Sequence, residues 1–259
     1  MINREESSVQ AVSRSLSILE ELAKEQKGCG VTQLATATGL HKSTVHRLLS
    51  TLMSKGYVSK DTNTDRYCLG MKILYLGSSI LDRMDVRLVA KPYIEALSYK
   101  VKEVVHLAIL DDTEAVYIDK VESPENTIRM YSQIGKRAAL HCTGVGKIFL
   151  AWMPESQSEA ILKSKEMRAY TPNTITNIED MKKHLEQIRN NGYAIDNIEH
   201  EDGVRCVAAP IFDMHHNVIA AISISGPIFK VTEDRVQALV DDILNTAGEI
   251  SYHMGYLKK

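Results

Sequence analysis

The sequence lacks the features that mark a membrane or secreted protein. None of its 259 residues lies in an apolar run that approaches the roughly 18 to 20 residues of a membrane span. The first segment, MINREESSVQ, has no apolar core of the kind that a signal peptide needs. The four cysteines, Cys29, Cys68, Cys142 and Cys206, have no C-x-x-C spacing, so neither a zinc knuckle nor a disulfide framework is predicted. We therefore expect a cytoplasmic protein with no membrane partner.

The chain also lacks a strong excess of charge of one sign. Its formal net charge of −2 argues against a general nucleic-acid coat. The charge is nevertheless uneven, since residues 41–72 carry six basic side chains and two acidic ones. This local excess supports DNA binding without establishing it. With 44% hydrophobic and 25% charged residues, the composition is that of a globular protein, long enough for one small and one medium domain or for one large one.

Apolar spacing in the first 55 residues predicts three helices. A first helix over 9–25 follows from apolar residues three and four positions apart, namely Val9, Val12, Leu16, Leu19 and Ala23. Thr32 is expected to cap a short second helix over 33–38, which Gly39 ends. Ser43 is expected to cap a third helix, whose buried positions are Val45, Leu48, Leu49 and Leu52.

Two short helices joined by a turn that contains glycine are typical of a helix-turn-helix, whose second helix enters the DNA major groove. The polar face of the third helix presents Ser43, Thr44, His46, Arg47 and Ser50. An ordinary solvated helix would present similar groups, so this face alone does not decide the function. The strand-like segments around Tyr57-Val58 and Tyr67–Leu69 predict a β-hairpin wing, with Lys60 and Arg66 placed to contact phosphates.

The string VTQLATATGLHKSTVHRLLSTLMSKGYV, followed by RYCLG, resembles the DNA-binding half of the IclR family of bacterial regulators. The resemblance implies an α+β protein with a winged helix-turn-helix at 1–70, a linker helix at 71–86 and an effector-binding and oligomerisation domain at 87–259, related to the GAF and PAS folds. It implies binding to double-stranded operator DNA as a homodimer or a dimer of dimers, joined partly through the linker helix and the first helix. Thr32 and Lys42 complete the expected DNA contacts.

The pattern beyond residue 86 predicts an antiparallel sheet covered by helices. Runs rich in β-branched residues predict two hairpins, 104–110 with 115–121 and 204–212 with 218–225, and a further strand at 128–131. Helices are expected at 87–99, with Pro92 early in it, at 144–152, at 156–164, at 178–190 after the cap Asn177, and from the cap Thr232 to near Gly255. Hairpins with helices between and after them favour an α+β fold.

Three segments carry candidate effector contacts. In HCTGVGK, two glycines precede a helix, an arrangement that suits either a plain turn or an anion at the helix N-terminus. The resemblance implies that the amides of Gly144 and Val145 hold the effector's acid group. It also places Asp196, Val204 and Cys206 along the pocket. Ser223 and Ser225 are two residues apart on a strand, so their hydroxyls share a face. They suit a hydroxylated or oxo ligand, or they are hydroxyls whose hydrogen bonds are satisfied inside the sheet.

Arg129, in IRMYSQIGKR, is either a surface arginine or an effector contact. Its surroundings resemble the branch of the family that represses sugar-acid degradation genes, typified by regulators that respond to 2-keto-3-deoxygluconate. This implies a repressor of a catabolic operon, controlled by a small anionic metabolite such as a 2-keto-3-deoxy sugar acid; pyruvate or glyoxylate would suit the same groups. In one departure, Ile198 stands where the family commonly has an acid, so no polar network through Glu199 is carried over.

Two other classes of function compete with this interpretation. A thiol hydrolase could be assembled from Cys206, His141 or His200, and Asp196. Cysteine in an apolar strand is ordinarily a small buried hydrophobe, so we do not expect an enzyme. The pair His215-His216 lacks partners at metal-ligand spacing, and neither a metal nor a cofactor is expected. A metabolite-binding module that acts without DNA is the third alternative.

Overall fold

The computed structural model describes residues 9–25, 27–81, 85–123 and 132–257. Contacts divide the chain into two compact units, one within residues 1–83 and the other within 84–259. The first unit begins with three helices, α1 (Gln10–Lys24), α2 (Val31–Thr38) and α3 (Lys42–Ser54), followed by the antiparallel pair β1 (Val58–Lys60) and β2 (Tyr67–Leu69). The predicted winged helix-turn-helix is confirmed.

Helix α1 buries two residues that the predicted apolar face did not include. The residues that α1 buries are Ile18 and Leu22, whereas Val9, Val12 and Leu16 are more than half exposed. The helix carries two apolar stripes, and only the stripe with Ile18 packs on α2 and α3 through Leu34, Val45 and Leu49. Of the residues on the predicted apolar face, Leu19 borders this core, whereas Val9, Val12 and Leu16 stay on the surface of the chain.

Both predicted side-chain caps in the helix-turn-helix are wrong. Helix α2 begins at Val31, so Thr32 lies inside its first turn, and the capping residue is Gly30. Helix α3 begins at Lys42, so Ser43 also lies inside, and His41 is the capping residue. Neither cap position makes a side-chain hydrogen bond to the helix, and the same holds for Thr232 before the last helix. The predicted end of α2 at Gly39, which adopts a positive φ of 68°, is correct.

Two helices occupy the predicted linker and the residues that follow it. Helix α4 (Met71–Leu81) confirms that a helix is present in the predicted segment as far as residue 81, and α5 (Asp85–Val101) follows. Pro92 lies in the middle of α5 and not near its start as predicted. A proline removes the hydrogen bond to the carbonyl four residues earlier, which belongs to Leu88. Leu88 is 58% exposed, so the interruption falls on the solvent side of the helix.

The second unit contains a six-stranded antiparallel sheet in the order β5-β4-β3-β8-β7-β6. The two predicted hairpins are confirmed as β3 (Val104–Asp111) with β4 (Glu114–Val121), and β7 (Val204–Phe212) with β8 (Val218–Pro227). The short edge strands β5 (Arg137–Ala138) and β6 (Ala194–Asn197) were not predicted. The strand expected at 128–131 falls outside the described residues. Strand β3 pairs with β8, which joins the two hairpins into one sheet.

Helices cover this sheet as predicted. Helix α6 (Gly144–Trp152) contacts β6, β7 and β8, and is itself contacted by α8 (Ile178–Asn191), which Asn177 caps. In the sequence, α7 (Glu155–Ser164) lies between α6 and α8. Near the C-terminus, α9 (Glu233–His253) contacts α5 and β7. Small residues on the face toward α6, among them Ala108, Ala208 and Ala221, share a core with Ile148. These alanines let α6 approach the sheet closely, which positions the first turn of α6 beside the strands.

Candidate DNA-binding surface and effector pocket

Helix α3 presents the predicted polar face. Val45 and Leu49 are buried, while His46, Arg47 and Ser50 are exposed on the opposite side. Lys42 and Ser43 are also exposed at the N-terminal end of the helix, and Thr44 is half-buried. Thr32 is exposed on α2 and borders the same shallow surface cleft as Lys42. The groups predicted to contact DNA therefore lie on solvent-exposed surface of the helix-turn-helix, except for the partly covered Thr44.

The wing is more rigidly held than its sequence indicated. The Lys60 Nζ lies 2.6 Å from the Asp65 Oδ1 and 5.4 Å from the centre of the Tyr67 ring. Arg66 donates from Nη1 to the carbonyl oxygen of Gly28 over 2.9 Å. Asp61 accepts from the backbone amides of Asn63 and Thr64, which closes the turn at the tip. Both wing cations thus have partners within the protein, and Arg66 ties the wing to the segment before α2.

The second unit brings most of the predicted effector contacts together on one face of the sheet. In the strand register, Asp196 pairs with Cys206, Cys206 pairs with Ser225, and Ser223 pairs with His106. Paired residues in neighbouring antiparallel strands point to the same side. A row of polar and polarisable side chains therefore crosses β6, β7, β8 and β3. We call these five residues the polar row.

His106 is the member of the polar row that sequence reasoning missed. Its side chain is 2% exposed, with Nδ1 3.3 Å from the Ser225 Oγ and 3.5 Å from the Ser223 Oγ. Its Nε2 lies 2.6 Å from the Ser132 Oγ. Burial, assisted by the charge of Lys120, lowers the pKa of His106 to about 3, so the ring is neutral at physiological pH. A single histidine within the apolar run VVHLAIL was the available signal.

Helix α6 begins at the edge of the polar row. The first amides of a helix have no partner within the helix, and here they belong to Gly144 and Val145. A Cβ at Gly144 would lie 3.0 Å from the Ala208 Cβ and a Cβ at Gly146 would lie 2.5 Å from the Leu140 Cα. Close packing therefore requires glycine at position 146 and leaves little space for a larger residue at 144, so that the positive end of the helix lies against β7.

The polar row and the start of α6 enclose a cavity of about 60 Å³. Its lining includes every predicted effector contact that the structure describes, which are Gly144, Val145, Asp196, Val204, Cys206, Ser223 and Ser225. Tyr117 and Thr143 also line it, and Lys136, His200 and Glu201 lie nearer to solvent. Arg129 lies outside the described residues. The two serines predicted from strand alternation and the five residues that the resemblance implied thus line one cavity.

Asp196 is buried at one end of this cavity. Its Oδ1 accepts hydrogen bonds from the backbone amides of Glu199 at 2.7 Å and His200 at 3.4 Å. Burial outweighs these bonds and raises the pKa of the carboxyl group to about 6. A carboxyl group with this pKa changes between donor and acceptor close to physiological pH.

Glu199 takes part in a buried network despite the neighbouring Ile198. The Lys147 Nζ lies 2.5 Å from the Glu199 Oε1, 2.6 Å from the carbonyl oxygen of Ile195 and 3.2 Å from the His184 Nε2. Ile198 has a φ of 60°, a region that β-branched residues rarely occupy. The carbonyl oxygen of Ile198 accepts a hydrogen bond from the Thr171 hydroxyl at 2.5 Å. This bond helps to hold the strained turn that follows Asp196.

The residues proposed for a thiol hydrolase do not form a catalytic group among the described contacts. Burial, followed by the charge of Asp196, raises the pKa of the Cys206 thiol well above its usual value. His141 instead bonds through Nε2 to the carbonyl oxygen of Arg168 over 3.0 Å. A buried thiol with a raised pKa is a poor nucleophile, because the thiolate is the reactive form.

No group of three or more His, Cys, Asp or Glu side chains in residues 9–25, 27–81, 85–123 and 132–257 is arranged to hold a metal ion. No helix among these residues combines the length and the apolar character that crossing a membrane requires.

The fold and the pocket define a class of protein, in which a winged helix-turn-helix is joined to a sensor domain for a small molecule. Family models identify the same two parts, the "IclR helix-turn-helix domain" at residues 11–62 and the "Bacterial transcriptional regulator IclR C-terminal" domain at 78–252. The chain belongs to the IclR family of bacterial transcriptional regulators. It is accordingly a DNA-binding regulator controlled by a small metabolite, and not an enzyme.

Named relatives and solved structures extend over nearly the whole chain. The HTH-type transcriptional regulator KdgR of Escherichia coli is 38% identical over 98% of this chain and 96% of its own. The transcriptional repressor IclR of the same organism is 36% identical over 96% of this chain and 92% of its own. The crystal structure of the IclR of Thermotoga maritima matches with a TM-score of 0.81 at 36% identity, covering 96% of this chain and 100% of that one.

Proposed function

We propose that this regulator represses a catabolic operon by binding double-stranded operator DNA as a homodimer, and that a 2-oxo or sugar acid bound in the cavity controls this binding. The proposal assigns DNA binding to residues 1–70, the linker to 71–86 and effector binding with oligomerisation to 87–259, in a cytoplasmic protein. The observation that carries it is the cavity that the polar row forms with the N-terminus of α6.

The exposed face of α3 supports the assignment of DNA contacts. A recognition helix reads base edges with exposed hydrogen-bonding side chains near its N-terminal end, and Lys42, Ser43, His46, Arg47 and Ser50 are exposed there. Thr32 on α2 and the partly covered Thr44 complete this surface in the proposal. Lys60 and Arg66 are held by partners within the protein. We assign both side chains to contacts with DNA phosphates, which they would make from these fixed positions.

The cavity suits a small anion. The amides of Gly144 and Val145 and the dipole of α6 favour a carboxylate, and the hydroxyls of Ser223 and Ser225 can donate to an adjacent oxo group. Asp196 does not repel a bound anion when its carboxyl group is protonated. An enclosed space of about 60 Å³ suits the acid end of the ligand, so the remainder of a sugar acid would extend toward Lys136 and His200.

The exposed apolar surface of the first unit supports dimerisation. A palindromic operator requires two winged helices related by symmetry. The outer stripe of α1 (Val9, Val12 and Leu16) is exposed, as are Leu74 and Tyr75 on α4. Apolar helix faces of this kind are normally covered by another element, and we assign them to a second copy of the chain. A dimer of dimers would use further surface on the sensor domain.

Gel retardation of the DNA upstream of the gene tests the DNA-binding half of the proposal. The Arg47→Ala variant should bind this DNA about 1–3 kcal/mol more weakly than the wild type, because it loses a contact from the recognition helix. Lys24→Ala on α1, which removes a cation paired with Glu21, is the matched control and should bind normally. Equal binding by Arg47→Ala would remove its role.

Calorimetry tests the sensor half with 2-keto-3-deoxygluconate, pyruvate and glyoxylate. At least one acid should bind and should change the DNA retardation without being consumed. Binding of an acid with no retardation of DNA would favour the metabolite-binding module. Turnover that is lost in Cys206→Ser would favour the hydrolase instead.

A further inference from the structure

His106 connects the floor of the cavity to the loop that precedes β5. One ring nitrogen, Nδ1, faces the hydroxyls of Ser223 and Ser225, and the other, Nε2, faces the hydroxyl of Ser132. The carbonyl oxygen of Ser132 accepts from the Lys120 Nζ over 2.9 Å. Ser132 is therefore held through both its side chain and its backbone, and it begins the described segment that supplies Lys136 to the cavity.

A neutral imidazole has one donor nitrogen and one acceptor nitrogen. If Nδ1 accepts a hydrogen bond, Nε2 must donate one, and a change at either nitrogen imposes the opposite change at the other. A hydroxyl group can follow such a change, because it both donates and accepts. The low pKa of His106 keeps the ring in this neutral form, so it does not avoid the constraint by taking up a second proton.

We propose that His106 is a positioning residue that responds to the effector by reversing its two hydrogen bonds. This inference rests on the proposed binding of an acid in the cavity. Without effector, Nδ1 accepts a hydrogen bond from the nearer hydroxyl, that of Ser225, and Nε2 donates to the Ser132 Oγ. An effector carboxylate or oxo group is an acceptor, and it draws the hydroxyl protons of Ser223 and Ser225 into the cavity. Nδ1 then carries the ring proton and donates to Ser225, and the Ser132 hydroxyl donates to Nε2.

The ring carries one proton in both states: it gives up the Nε2 proton to water and takes up one at Nδ1 from water that enters the cavity from its solvent side, and each serine keeps its own hydroxyl proton. Its result is a change in the orientation of the Ser132 hydroxyl, at the beginning of the segment that runs past Lys136 to β5. The occupied state of the cavity is thus communicated to the segment near its mouth. The same chemistry selects ligands that present acceptors to the serine pair, and disfavours ligands that present only donors.

The experiment is nitrogen-15 NMR of the full chain with labelled histidine, which distinguishes the two neutral forms of an imidazole. The His106 signals are identified by their absence in His106→Gln, or in His106→Asn if the first variant does not fold. We expect the Nε2–H form in the free protein and the Nδ1–H form when 2-keto-3-deoxygluconate, pyruvate or glyoxylate is bound. An unchanged form in the presence of an acid that calorimetry shows to be bound would overturn the inference and leave the proposed function intact.

Ser132→Ala tests the same inference without any ligand. Loss of the hydroxyl leaves an Nε2–H group buried without an acceptor, so the ring should adopt the Nδ1–H form in the free variant. The variant already has the bound form of the ring, and should bind the acid as tightly as the wild type or up to about tenfold more tightly.

Ser158→Ala is the matched control, because its hydroxyl bonds to the carbonyl oxygen of Glu155 within α7. It should leave both the His106 signals and the affinity unchanged. Retention of the Nε2–H form in Ser132→Ala, or acid binding more than about threefold weaker than wild type, would contradict the relay. If none of the three acids binds the wild type, the proposed effector class fails, and the free Ser132→Ala spectrum still decides the inference about His106.

Discussion

Single residues in the cavity owe their chemistry to burial. His106 and Asp196 lie in the same polar row, and burial favours the uncharged form of each. For the histidine this lowers the pKa to about 3, and for the carboxyl group it raises the pKa to about 6. At moderately acid pH these two side chains therefore carry no charge, and the dipole of α6 favours an anion without opposition from Asp196.

The raised pKa of Asp196 predicts a pH-dependent affinity for the acid. An anion in the cavity repels ionised Asp196, so binding is accompanied by proton uptake. Affinity should rise as the pH falls toward about 6 and should decrease above it, by at most about tenfold per pH unit. In Asp196→Asn, whose amide oxygen can still accept from Glu199 and His200, affinity at neutral pH should be higher and nearly independent of pH. Calorimetry across this range is the measurement.

Other charged groups near the mouth serve as controls for this prediction. His200, whose burial lowers its pKa, and Lys136 and Glu201 also line the cavity. His200→Gln should retain the pH dependence of the wild type. A pH dependence of affinity that persists in Asp196→Asn would count against the role of Asp196.

The raised pKa of Asp196 also affects the stability of the folded protein. Because the folded pKa lies above the usual 3.8, the stability due to Asp196 is fully present below about pH 3.8 and is lost as the pH rises through about 6.

At the residue scale, alternation along a strand was enough to predict that Ser223 and Ser225 share a face. It was not enough to find His106, because its contact with these serines spans 117 residues in the sequence and depends on the pairing of β3 with β8. Glu199 shows the same limit, since its ion pair with Lys147 spans 52 residues. Sequence spacing predicts neighbours within an element, whereas contacts between elements require the register of the sheet.

At the scale of elements, helical periodicity predicted the position of α3 and the identity of its polar face. It overestimated the burial of Leu48 and Leu52, which are only partly buried beside Leu49. In α1 it found an apolar face but did not identify the neighbouring residues Ile18 and Leu22 that the core buries, because only the packing against α2 and α3 distinguishes the two. The caps predicted at Thr32 and Ser43 failed because a shift of one or two residues in a helix start moves a hydroxyl from the cap into the helix, whereas the predicted cap Asn177 is correct.

The phase of α3 predicts how two adjacent leucines differ. Leu49 is 1% exposed within the core of the first unit, so Leu49→Ala should lower the free energy of unfolding by about 2–5 kcal/mol. Leu48→Ala should cost clearly less, because Leu48 is partly exposed. Thermal or denaturant unfolding of the two variants measures the difference. Equal costs would show that the helical phase is wrong.

For the whole molecule, control of DNA binding requires coupling between two compact units. A ligand changes DNA affinity only if it binds one arrangement of the protein better than another, and the coupling is then reciprocal, so DNA must alter effector affinity by the same factor. The cavity and the face of α3 can thus be separated by variants. A change confined to the polar row should alter the response to effector while the winged helix continues to bind DNA.

The most direct test of this account is DNA retardation by the double variant Ser223→Ala, Ser225→Ala, with and without the acid that binds the wild type. The variant loses hydrogen-bond donors to the ligand but keeps the recognition helix. It should therefore bind operator DNA with wild-type affinity, show weakened binding of the acid in calorimetry, and no longer change its DNA binding when the acid is added. Wild-type effector affinity in the variant would place the effector elsewhere, and loss of DNA binding would show that the serines serve only the fold.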